Sequence, residues 1–483
     1  MTVTDTIKRA AGVLMHVSSL HGDYSVGAFG KEALEFIDFL ADAGFSYWQV
    51  LPFTIPDECN SPYKSVSAFA GNPYFIDLPT LASEGLITEE ELASAGQTSP
   101  YLIESKHLAL SRELLLRKAA GRARNREEIL SFMAEYPYLE EACRYLALAK
   151  ANSFLPWQKW KTHAFEDADY FYHAFTQYHF YQQWQTVKAY ANEKGIRIIG
   201  DLPIYVGLDS ADVYFHPDQF ELDEKGNPLG VAGCPPDYFS KDGQFWGNPL
   251  YRWDLMKQDD FTWWRARMEH TLSLFDGVRI DHFRGIESYW RIPATAKTAK
   301  EGKWCKGPGM AFVRAMKEVA GDRMIIAEDL GDIPPAVQDL LRRSKFPGMR
   351  VFQFAFLGDP LSPHLPHNYP ADCIAYTGTH DNNTLLGYVW EQDEATRRQM
   401  LEYCGYTDAD WDKGYDAIFR TMLCSHAGLV IFPIQDLLRF GADTRMNTPG
   451  RAEGNWEYRI TREQLRNLDA KKLRHLNTLY GRI

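Results

Sequence analysis

Eight short apolar runs punctuate this chain, at 12–17, 47–51, 196–202, 277–281, 324–328, 349–354, 373–376 and 429–434. Most are apolar on both faces, the pattern of parallel strands covered by helices rather than of antiparallel strands with one wet face. Helical stripes precede several of them. Phe261, Trp264, Met268, Leu272 and Phe275 recur at helical spacing ahead of the fourth run; Phe171, Ala174, Tyr178, Tyr181, Trp184 and Ala191 form another stripe, which Gly195 stops before the third. Eight strand and helix units predict an α/β fold, a (β/α)8 TIM barrel, with a doubly wound open sheet as the alternative.

The spacing of the runs is uneven. About 144 residues separate the second from the third and about 75 the third from the fourth, far more than an ordinary loop contains. One catalytic barrel over 1–483 is therefore expected to carry a mainly helical inserted subdomain at 52–195 and an inserted loop region at 203–260. The Pro- and His-rich stretch 359–370 reads as loop, so one barrel helix is expected to be short or missing. About 50 residues follow the eighth run, near the lower limit for an independent domain, so no separate C-terminal β-domain is expected.

Charge narrows the partners. Lys+Arg number 52 and Asp+Glu 64, a formal net charge of −12, which argues against nucleic acid and anionic membrane surfaces. The seven cysteines form no CxxC or zinc-type spacing, as expected of reduced thiols. The apolar run at the N-terminus is too short for a signal peptide or a membrane span, and the expected location is cytoplasmic.

Catalytic groups of a barrel enzyme collect where strands end at their C-termini. Asp281 closes the fourth run, Glu328 closes the fifth after Ile-Ile-Ala, and His380 and Asp381 follow the seventh; Asp201 ends the third similarly. Arg279 and Asp281 are two apart on one strand and so face the same way. A guanidinium there would keep Asp281 ionised, as a carboxylate nucleophile requires, although the two could simply neutralise each other at a strand end. The apolar setting of Glu328 would raise its pKa toward that of a general acid, the alternative being an ordinary strand-end carboxylate. Asp381 precedes Asn-Asn-Thr, which also suits a helix cap, and His380 suits a loop hydrogen bond. Together the carboxylates match the minimum apparatus of glycoside cleavage.

Longer motifs run nearly from end to end: Leu14-Met-His-Val-Ser-Ser19, Trp48-Gln-Val-Leu-Pro52, Ser61-Pro-Tyr63, Ser67-Ala-Phe-Ala-Gly-Asn-Pro73, Gly200-Asp-Leu-Pro-Ile-Tyr-Val206, Pro235-Pro-Asp237, Gly243-Gln-Phe-Trp-Gly-Asn-Pro-Leu250, Arg445-Met-Asn447 and Gly454-Asn-Trp456. In these the chain resembles the 4-alpha-glucanotransferases, also called amylomaltases or disproportionating enzymes, of the alpha-amylase clan. The resemblance implies transfer of a segment of an α-1,4-glucan to the 4-hydroxyl of an acceptor glucan or glucose by retaining double displacement. Asp281 would be the nucleophile, Glu328 the general acid/base and Asp381 the third acid. Arg279 would orient Asp281, and His380 would hold the donor sugar. Tyr63, with Ser61 beside it, would be an acceptor-side contact, Trp246 a stacking platform, and Asp237 and Gln244 part of a loop over the cleft.

Malto-oligosaccharides, maltodextrins and glucose would be the substrates, with no cofactor. Tyr205 and Val206 stand where alpha-amylases place an Asn and a His, so no structural calcium or other metal is expected. Two rivals are an amylase-type alpha-glucan hydrolase and a carbohydrate-binding protein on a dead barrel. The second predicts the loss of at least one acid, and all three are present. No Gly-rich phosphate loop points to a nucleotide-sugar enzyme. The oligomeric state is left open by the sequence.

Overall fold

A computed structural model of the chain describes residues 7–57, 59–236, 241–408 and 410–483. Its strands are β1 (Ala10–Leu14), β2 (Tyr47–Gln49), β3 (Arg197–Leu202), β4 (Gly230–Cys234), β5 (Gln244–Pro249), β6 (Gly277–Ile280), β7 (Ser288–Pro293), β8 (Lys303–Lys306), β9 (Met324–Ala327), β10 (Gly348–Val351), β11 (Cys373–Tyr376) and β12 (Leu429–Pro433). Eight of them form one sheet in the order β10-β11-β12-β1-β2-β3-β6-β9, every pair parallel. The two ends of that order meet. Ala327 N–H donates to Pro347 C=O at 2.9 Å, and Met349 N–H donates to Asp329 Oδ1 at 2.5 Å. The sheet is thus a nearly closed (β/α)8 barrel and not an open doubly wound sheet.

The double apolar face of most of these runs has a direct structural reason. Leu14, Leu51, Ile199, Ile326, Met349, Val351, Ile374, Tyr376, Leu429 and Ile431 fill the barrel interior, while their strand neighbours Val13, Trp48, Ile198, Ala375, Val430 and Phe432 join the core beneath the helices. Alternate residues therefore serve two cores. The first helical stripe is buried along Thr262–Leu274 and its flanking residues, the second along Asp167–Glu193. That second helix returns the chain to β3, behind the helices Leu78–Ser83, Glu89–Ala93, Ser105–Arg122, Arg126–Glu135 and Pro137–Ala151.

A second, antiparallel sheet has the order β5-β4-β7-β8. Two of its strands lie in 203–260, where loop was expected, and two lie between β6 and β9, where no strand was expected. Gly230-Val-Ala-Gly-Cys234 and Gln244-Phe-Trp-Gly-Asn-Pro249 are Gly-rich, and β5 is half-exposed over much of its length. They show neither a long apolar run nor a clean alternation. The run 349–354 keeps strand form only to Val351, and Phe352–Phe354 and Pro366–Asn368 are single helical turns where a barrel helix would run.

Residues 434–483 contribute no strand to either sheet. Their last helix, Ala470–Leu479, leads to Arg482, which lies fully buried across the N-terminal end of the barrel. Its guanidinium donates to the carbonyls of Leu423, Ala10, Ala427 and Ser425 at 2.7–3.1 Å. Among the described residues no helix is long and apolar enough to cross a membrane.

Candidate active site

At the opposite end of the barrel, where the strands end at their C-termini, the polar strand endings converge. Asp281 follows β6 directly, its N–H bonded to Leu202 C=O of β3 at 3.0 Å. Arg279, on β6, donates through Nη2 to Asp281 Oδ1 at 2.9 Å and through Nη1 to both oxygens of Asp201 at 2.8 and 2.6 Å. The same-face geometry of residues two apart on a strand makes the first contact. Neighbouring registers of β3 and β6, where Asp201 pairs with Arg279, make the second. Tyr63 OH donates to Asp201 Oδ2 at 2.7 Å.

Glu328 follows β9, the next strand. Its Oε2 accepts from His282 N–H at 2.7 Å and its Oε1 from Leu330 N–H at 2.8 Å. His282 has φ +51°, a left-handed conformation that costs a non-glycine residue on the order of 1–3 kcal/mol. This turn, immediately after Asp281, aims a main-chain donor from β6 at the carboxylate of β9. Asp381, on the loop after β11, accepts from Asn447 Nδ2 at 2.6 Å and lies 3.3 Å from His380 Nε2. Arg445 Nη2 bonds the Asp381 carbonyl at 2.5 Å. The His380 ring stacks on Tyr63 with centroids 5.1 Å apart, and Trp456 lies 5.8 Å from each.

The electrostatics separate the acids. Burial works against the charge of Arg279, but Asp201 and Asp281 more than offset it and hold the guanidinium well above the usual arginine range. Burial pushes Asp281 up to about 6 against the opposing pull of Arg279. Glu328 is pushed higher, to about 7, by burial and by the negative charge of Asp281, with Arg279 again opposing. A single guanidinium cannot neutralise Asp201, Asp281 and Glu328 together, and an uncompensated buried ion costs several kcal/mol. Burial thus raises Glu328 further than Asp281, the acid that Arg279 bonds directly. Among the described residues no group of three or more His, Cys, Asp or Glu side chains could hold a metal ion.

This arrangement can be compared with known proteins. The family model described as 4-alpha-glucanotransferase matches residues 15–465. The chain belongs to the 4-alpha-glucanotransferase family. It is 44% identical over 475 residues to a 4-alpha-glucanotransferase of Thermus thermophilus, covering 94% of this chain and 95% of that protein. It is 42% identical over 496 residues to one from Streptococcus pneumoniae, covering 99% and 98%. The solved amylomaltase of Streptococcus agalactiae in complex with acarbose superposes with a TM-score of 0.94 at 37% identity, over 98% of this chain and 100% of that one.

Of the residues that the 4-alpha-glucanotransferase resemblance singled out, Arg279, Asp281, Tyr63, His380 and Asp381 join in one cluster through Asp201 and ring stacking. Glu328 is tied to it by His282. Trp246 sets its ring edge-on to His282 at 5.0 Å, and Gln244 Oε1 accepts from Trp246 Nε1 at 3.0 Å. Ser61 reaches no carboxylate of the cluster; its hydroxyl accepts from Tyr63 N–H at 3.3 Å and so shapes the turn beneath that ring. Asp237 lies outside the described residues.

Four participants were missed by the sequence reading. Asp201 was visible as a strand ending but had no assigned partner, while Arg445, Asn447 and Trp456 lay in family motifs without a role. Asn447 is 66 residues from Asp381, so only the barrel topology brings it there.

Proposed function

We propose that the site transfers a segment of an α-1,4-glucan to the 4-hydroxyl of another glucan or of glucose by retaining double displacement. Glu328 protonates the glycosidic oxygen while Asp281 attacks the anomeric carbon, giving a covalent glycosyl-enzyme; Glu328 then deprotonates the acceptor hydroxyl. Asp381, held by Asn447, acts as the third acid and binds the sugar hydroxyls as the ring distorts. Arg279 orients the nucleophile, His380 holds the donor sugar, and Tyr63, with Ser61 beside it, is an acceptor-side contact. Trp246, edge-on to His282, serves as a stacking platform, and Asp237 and Gln244 belong to the loop that would cover the cleft. Malto-oligosaccharides, maltodextrins and glucose are the substrates. The whole chain works as one catalytic barrel, with 52–195 and 203–260 as its insertions.

One observation carries this reading. The carboxylates of adjacent strands are held differently: Asp281 by a guanidinium, which opposes the effect of burial and favours its ionised form, and Glu328 by two main-chain N–H groups that fix its oxygens, while burial and the negative charge of Asp281 raise its pKa above that of Asp281. Those are the demands on a nucleophile and an acid. Nothing in the relatives favours the amylase-type hydrolase. Incubation with maltotriose alone tests the choice. Glucose and longer maltodextrins should appear with total reducing ends constant; rising reducing ends with only shorter products would make the enzyme a hydrolase.

A further inference from the structure

The loop bearing His380 and Asp381 leaves β11 at Thr377 and enters the helix Leu385–Glu391. Both of its ends meet one side chain. Asp436, which follows β12 and is 1% exposed, accepts from the Thr377 hydroxyl through Oδ2 at 2.5 Å and from Leu385 N–H through Oδ1 at 2.8 Å. Its own backbone is fixed in turn, because Tyr415 OH donates to the Asp436 carbonyl at 2.9 Å.

The chemistry explains why a carboxyl sits here. Leu385 opens a helix, so its N–H has no partner within that helix; Thr384 spends its hydroxyl on Gly387 N–H instead. Without Asp436 that donor and the Thr377 hydroxyl would be buried and unpaired. One planar group with two acceptor oxygens meets both and fixes the separation of the loop ends. Between them, Asn447 and Arg445 hold Asp381, and Gln353 Nε2 donates to Asn383 C=O at 2.7 Å.

We infer that Asp436 is a positioning residue for the transfer reaction: by tying Thr377 to Leu385 it sets where Asp381 and His380 meet the donor sugar. The inference rests on the reading of Asp381 as the third acid. Asp436 itself faces the loop ends and acts only through them.

Asp436→Ala removes both ties and Thr377→Val removes one. Asp436→Asn can keep both, its amide oxygen accepting from Leu385 N–H and its amide nitrogen donating to the Thr377 oxygen. Each variant is assayed for kcat and KM on maltotriose and for hydrogen exchange across 377–391. In Asp436→Ala, kcat should fall roughly tenfold or more, with KM within about twofold and faster exchange in the loop. Asp436→Asn should return to within about threefold of the parent, and Thr377→Val should fall between.

An unchanged kcat in Asp436→Ala, or an Asn variant as slow as the Ala variant, overturns the inference. If Asp436→Ala does not fold, Thr377→Val decides, and a parental kcat there overturns it as well. Asp381→Asn run alongside keeps the two readings apart. Full transfer by that variant would sink the third-acid reading, whereas loosened exchange with lost kcat in Asp436→Ala bears on Asp436 alone.

Discussion

The two ends of the barrel each bury an arginine, and they treat it oppositely. Arg482, at the floor, bonds only main-chain carbonyls, and burial, with Arg9 adding to it, pulls its pKa down to about 9. Arg279, at the mouth, bonds two carboxylates and is held well above its usual value. Carbonyl dipoles satisfy hydrogen bonds but carry no net charge. The floor thus keeps the uncompensated positive charge of Arg482, whereas Asp201 and Asp281 around Arg279 leave the mouth with an excess negative charge. The oxocarbenium-like transition state of the proposed reaction develops positive charge, which that negative charge would stabilise.

The contrast is sharpest at Asp281, the proposed nucleophile. Asp281→Asn should lower transfer by roughly 10⁴-fold or more, measured as oligosaccharide release from maltotriose, with the fold intact by circular dichroism. The paired test comes next. Arg279→Met should cost about 3–5 kcal/mol in urea unfolding, because the buried carboxylate of Asp201 and the half-buried one of Asp281 lose their counter-charge, and should also reduce kcat at least about 10²-fold. Arg482→Met should cost about 3 kcal/mol through unpaired carbonyls yet leave kcat per folded molecule unchanged. Equal losses of kcat in both would break the comparison.

Acid and base limbs give a smaller effect. Asp281 must be ionised, so the rate should fall as pH drops below about 6. Glu328 must be protonated, so the rate should fall again as pH rises beyond about 7. Each limb should approach about tenfold per pH unit in kcat/KM, and Glu328→Gln should abolish the upper one. The smallest change is expected from Tyr63→Phe, which removes only the 2.7 Å bond to Asp201. A loss of about tenfold or less in kcat, without a shift of either limb, would place the phenol in support of the ion pair.

Much of this was legible from residue order because the barrel strands obey one rule. A strand buried on both faces reads as a short apolar run, and the polar residue ending it marks the mouth. Asp281 and Glu328 stood out for that reason, and the spacing of Arg279 gave its direction. The second sheet obeys no such rule: β4 and β5 show no long apolar run, and β7, which pairs with β4, and β8, which pairs with β7, come from a different connection. The support around Asp381 was hidden for another cause. Asn447, Arg445 and Asp436 follow the last barrel strand, whose parallel ladder with β11 sets them beside the loop that bears Asp381.

Seven joints of the barrel are ladders of main-chain bonds, which tolerate almost any side chain. The eighth, between β9 and β10, relies in part on the carboxylate of Asp329, which accepts from Met349 N–H and from Arg350 Nη1 at 3.0 Å. Asp329 is the next residue after Glu328. The seam of the cylinder therefore depends on residue identity beside the proposed general acid, and a lineage drifting in sequence has less freedom there than along the rest of the ring.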